Sequence, residues 1–140
     1  MNNSRKFLKI RILSTTKYLF HVSNILLIVF YLFPGSILGC LIYDDCKIQP
    51  QLTSDFLVSS NHVYVFFIIS LFGFMSYPKK PAYIRIITYL FFIAIFLELM
   101  HLFIPGRGFE VKDLAGNIVG VSISLIIFLI FKFRKKNGQF

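Results

Sequence analysis

Glu98, His101, Arg107, Asp113 and Asn117 follow one another in a short stretch of an otherwise apolar chain. The set contains an acid, an imidazole, a planar cation and an amide, groups suited to holding an anion or handling a proton. Glu98 and His101 are three residues apart and so lie side by side on one helix face. A charge at the centre of a membrane span costs on the order of 2.5–3.5 kcal/mol, and less toward its end, where Glu98 falls. Glu98 is therefore expected either to be protonated or to pair with a cation inside the bundle. Arg107 is the expected partner. Ile104-Pro105-Gly106-Arg107 reads as a tight turn, with Pro second and Gly third, that folds the guanidinium back toward Glu98.

Each of these residues also has a plainer use. Asp113 can cap the last apolar helix, Asn117 can make an interhelical hydrogen bond, and Glu98 with Arg107 can be a purely structural ion pair. His62 and His101 are expected as polar residues at the ends of two apolar segments, with ligand binding as their second reading. His21, near Ser23 and Asn24, is expected to bond a neighbouring helix. Gly116, Gly120 and Ser124 form a small-xxx-small stripe that lets two membrane helices approach closely, and Val121 is expected on the opposite face. Glu98, Arg107 and Asp113 are the catalytic candidates; Arg107, Asn117, His101 and His62 are the binding candidates. No metal and no cofactor are expected. There is no zinc-type spacing, phosphate loop or nucleophile elbow, and Cys40 and Cys46, the only two cysteines, cannot supply four ligands. They are expected as free thiols, with a disulfide as the alternative in an oxidising compartment.

The elements that must position these groups follow from composition. Of 140 residues, 56% are hydrophobic and 18 are Phe, and the mean hydropathy is +0.74. Only 15% are charged, too few to cover a soluble core of this size. Apolar segments at 18–33 (with an extension at 36–43 beyond Pro34-Gly35), 60–77, 83–104 and 114–133 predict an all-α, polytopic transmembrane bundle of about four spans within a single domain, 1–140. Pro34-Gly35 predicts a kink or break.

The net charge of +9 is concentrated beside the spans. Arg5, Lys6, Lys9, Arg11 and Lys17 precede the first; Lys79, Lys80 and Arg85 join the second to the third; Lys132, Arg134, Lys135 and Lys136 end the fourth. That placement puts both termini in the cytoplasm and excludes nucleic acid as the partner. It puts the Glu98–Asn117 set at the outer side of the membrane. A competing reading of Ile37-Leu38-Gly39-Cys40 as a lipoprotein cleavage site is disfavoured, because Cys40 lies late for a signal peptide.

Glu98, Arg107, Asp113, Asn117 and Gly120, taken as a spaced set, resemble the VanZ-like family of bacterial membrane proteins. The family pattern has a Glu followed by a Gln three residues on, then a Pro-x-Arg turn and an Asp-x-x-x-Asn-x-x-Gly helix start. Here His101 replaces that Gln. His62 matches the family's His at the second span, but Val58 stands where an acid is usual, and Asp55 is the nearest stand-in. The resemblance implies a multi-pass protein of the bacterial inner membrane and an envelope role, since the family's namesake is associated with resistance to teicoplanin. The expected partner is a membrane lipid or lipid-linked glycan precursor, bound or modified at the outer polar cluster. A non-catalytic scaffold, with a membrane-protein partner or a second copy of the chain, is the alternative, and a transporter comes third.

Overall fold

A computed structural model describes residues 2–137, with the side chains of residues 2–6 and 9 outside that description. The basic flank expected at Arg5, Lys6 and Lys9 therefore lies, as side chains, outside the described residues. Among the described residues five α-helices form the fold: α1 Asn2–Leu32, α2 Ile37–Tyr43, α3 Ser60–Ser76, α4 Ala82–Met100 and α5 Val111–Lys136. A 3-10 turn, His101–Phe103, extends α4.

Three helical stretches are long and apolar enough to cross a membrane: Ile10–Leu32, Ala82–Phe103 and Val111–Lys136. The fourth, α3, has 17 residues, close to the lower limit for a span. α1 begins far upstream of the apolar run at 18–33, because no Gly or Pro interrupts the chain before Pro34. Large apolar side chains such as Ile25, Phe92, Ile126 and Phe131 stand exposed around the bundle, as expected of a surface solvated by lipid.

The break at Pro34-Gly35 is present. Gly35 takes φ 108°, a left-handed conformation open to glycine. The chain then restarts as α2, with the Ser36 side chain capping it by accepting from Gly39 N at 3.0 Å. Cys40 and Cys46 form a disulfide, which corrects the expectation of free thiols. α2 ends at Asp44, which is left-handed, and the reversal brings Cys46 back so that its carbonyl accepts from Ser36 N at 2.7 Å. The turn, more than the spacing, is what places the two sulfurs together.

The closest helix pair is α3 with α5. A Cβ added to Gly116 would stand 2.6 Å from the Ser59 carbonyl, and one on Gly120 would stand 2.5 Å from that of Val63. Those glycines let backbone meet backbone, as the small-residue stripe predicts. Ser124 continues the stripe and is fully buried. Val121 does not face away: it is fully buried with Phe66, Phe74, Leu90, Ala94 and Leu97. α5 is enclosed on two sides, by α3 and α4, so its buried arc is wider than one stripe.

The ends of the bundle differ in chemistry. Lys17 lies 5.4 Å from the Tyr77 ring and Lys132 lies 3.5 Å from that of Tyr83. Lys17 of α1, the α3–α4 connection and Lys132 of α5 thus share one end. His21 belongs there too, bonded as expected to a neighbouring helix through the Tyr77 hydroxyl at 3.2 Å. The end of α1, the start of α3, the end of α4 and the start of α5 make the opposite end.

Candidate functional site

At that opposite end α1, α3, α4 and α5 bring their polar residues together. Asn117, fully buried on α5, donates through Nδ2 to the Ala94 carbonyl of α4 at 3.1 Å. That bond turns Oδ1 toward α1 and α3. The Tyr31 hydroxyl donates to Oδ1 at 2.6 Å, and His62 Nδ1 lies 3.0 Å from the same oxygen and 2.6 Å from the Tyr31 oxygen. With the tyrosine proton committed to Asn117, His62 Nδ1–H is the donor in this triangle. The interhelical bond expected of Asn117 is thus present, and it joins three helices to a fourth.

The other nitrogen of His62, Nε2, faces Asp113 Oδ2 at 3.4 Å. Asp113 is not the cap of α5. Helix α5 starts three residues earlier than that reading requires, with Glu110 at the N-cap position, which puts Asp113 in the first turn and frees its carboxylate for α3. A negative group there also suits the helix dipole.

Glu98 is fully buried, and its partners differ from those expected. Oε1 accepts from the Glu110 backbone N–H at 3.0 Å and lies 3.4 Å from His101 Nδ1. His101 in turn donates through Nε2 to the Tyr31 carbonyl at 3.1 Å and stacks on the Tyr31 ring. Oε2 of Glu98 has no hydrogen-bond partner.

Arg107 makes no ion pair with Glu98 among the described residues. The turn forms as read, with Gly106 at φ 75° and Arg107 N donating to the Ile104 carbonyl at 3.1 Å. The guanidinium, however, reaches across to the α1–α2 break and donates to the Gly35 carbonyl. Its Nε is buried without a partner. The break at Pro34-Gly35 exposes that acceptor, and the turn alone could not show where the side chain would go.

His62 and His101 stand at the start of α3 and just past the end of α4, and both are buried, at 6% and 2% exposure. Asp55 does not replace the acid absent at Val58. It is exposed and caps α3, accepting from Ser60 N at 2.8 Å. Tyr31 and Gly35 were missed; a tyrosine at the end of an apolar run and a Pro-Gly break carry no chemical signature by themselves.

Two cavities border these residues. One, of about 490 Å³, runs between α1, α2 and α3 and is lined mainly by apolar groups, among them Leu26, Leu27, Phe30, Ile42, Val65 and Ile69, with His62 at its polar end. The other, of about 480 Å³, is lined by Gly35, Lys47, Gly108, Glu110 and Asp113 among others. Ser36, Gln49, His101 and Arg107 line both. Together they can take a molecule with an apolar tail and a polar head.

Neither a curated protein nor a solved structure matches the chain. A family model does: VanZ/LLP1 matches residues 3–132, a range that includes every residue of the polar cluster. The chain belongs to the VanZ/LLP1 family of membrane proteins.

Proposed function

We propose that this protein is a multi-pass protein of the bacterial cell membrane that binds, at its outer end, the anionic headgroup of a lipid or lipid-linked glycan precursor. The observation that carries the reading is that Arg107 and His101 line both a mainly apolar and a more polar cavity. Tails of a lipid are apolar and its phosphate is a planar-cation ligand. The Arg107 Nε has no partner of its own, so it retains a donor for an anion. Glu98 and Asp113 are the groups placed to handle a proton if the bound headgroup is also modified. Cytoplasmic basic ends and an outer site follow from the Lys and Arg placement. An envelope role agrees with the association of the family's namesake with teicoplanin resistance.

The test is the lipid that copurifies in mild detergent, measured by mass spectrometry for wild type, Arg107→Gln and Leu27→Trp. One anionic species should be enriched in wild type and lost in both variants, with the proteins still monodisperse. Identical lipid profiles in all three would refute the reading. A second reading, a scaffold without a ligand, is favoured by the Tyr31–His62–Asn117 triangle, whose bonds are all internal. It predicts an unchanged lipid profile and loss of a partner complex when the triangle is broken.

A further inference from the structure

We propose that His62, Glu98 and Asp113 form a binding site for a divalent transition-metal ion. Each comes from a different helix, α3, α4 and α5, and one ligand atom from each lies within 4.8 Å of the others. Nitrogen and oxygen ligands sit about 2.0–2.2 Å from such an ion, so a small inward shift of side chains closes the set.

The hydrogen bonding around the cluster has the polarity a metal requires. Asn117 Oδ1, an acceptor 3.0 Å from His62 Nδ1, favours the neutral tautomer with its proton there, which makes Nε2 the acceptor that lies 3.4 Å from Asp113 Oδ2. Two acceptors facing each other at 3.4 Å repel unless a cation stands between them. An amide oxygen behind a ligating imidazole is the usual outer support of a metal histidine. The independent sign is Glu98. Its residue is fully buried, yet Oε2 has no partner, and burying a carboxylate oxygen without one is unfavourable. Access is provided on one side, because Asp113 lines the polar cavity and its side chain is 20% exposed.

One imidazole and two carboxylates, with no thiolate, suit Mn²⁺ or Zn²⁺. Three protein ligands leave coordination positions open toward the polar cavity. The site was invisible to motif spacing because its ligands lie far apart in the chain. It does not depend on what fills the cavities.

The experiment uses the full chain in detergent, stripped with chelator and titrated with Mn²⁺ by electron paramagnetic resonance and with Zn²⁺ by calorimetry. The expected result is saturable uptake of a single ion per chain, with imidazole nitrogen coupling in the Mn²⁺ pulsed spectrum. Glu98→Gln and Asp113→Asn should each weaken uptake at least about tenfold, whereas Asp55→Asn, in the exposed α3 cap, should not change it. Should the ligand variants fail to fold, the nitrogen coupling of the wild-type protein decides. Absence of saturable uptake, absence of nitrogen coupling, or full uptake by folded Asp113→Asn would each overturn the proposal. If the cation at His62 is only a proton, the first of these is what will be seen.

Discussion

Gly120→Ala is the smallest change that tests how α3 and α5 are held together. The new methyl carbon would stand 2.5 Å from the Val63 carbonyl oxygen, 2.9 Å from Phe67 N and 3.0 Å from Phe66 Cβ, whereas ordinary contact begins at 3.4 Å. Two of the three neighbours are backbone, so no rotamer change relieves the overlap; the helices must part by about 0.9 Å at the worst contact. Overpacking of this kind costs about 1–3 kcal/mol. Ala is the better helix former by about 1 kcal/mol, which offsets part of it. Because two of the neighbours are backbone the upper end applies, so a net loss of about 2 kcal/mol is expected, and Gly120→Leu should lose more. Gly108→Ala, where nothing lies within 4 Å, is the control and should change little. Reversible unfolding in mixed micelles, followed by circular dichroism, measures all three. A Gly120→Ala variant as stable as wild type would mean that the two backbones are not in contact and would refute the packing reasoning.

Other expectations concern the polar end and the topology. Tyr31→Phe removes one donor from Asn117 Oδ1 but leaves His62 bonded to it, so the same unfolding assay should show a loss of only about 0.5–1.5 kcal/mol. Asn117→Ala removes bonds to the Ala94 carbonyl, the tyrosine hydroxyl and the imidazole at once and should cost clearly more; equal costs would show that the triangle is not a unit. In a background with Cys40 and Cys46 replaced by Ser, a cysteine at Gly108 should react with a membrane-impermeant thiol reagent in intact cells, and one at Lys79 should not. Labelling of Lys79→Cys without permeabilisation would overturn the proposed orientation.

Composition and pattern along the chain are enough to show an α-helical membrane protein, the places of its apolar helices, and the separation of α1 from α2 at Pro34-Gly35. These properties depend on local causes: apolar run length, a missing backbone donor, and glycine's conformational freedom. The sequence also singled out Gly116 and Gly120 as a close-packing stripe, since small residues at helical spacing have few other uses in a span. Pairings between elements were decided by the tertiary structure. Arg107 and Glu98 looked like partners because one short turn joins them, yet the guanidinium found the Gly35 carbonyl on another element, while Glu98 took the Glu110 backbone N–H and His101. Val121 seemed to face away from the stripe, but enclosure of α5 by both α3 and α4 buries it. Asp113 kept its carboxylate for His62 because α5 starts at Val111, and the Cys40–Cys46 disulfide formed because the reversal at Asp44 folds the chain back on α2. A buried polar group takes whichever partner the packed helices bring within reach, and sequence distance carries little of that information.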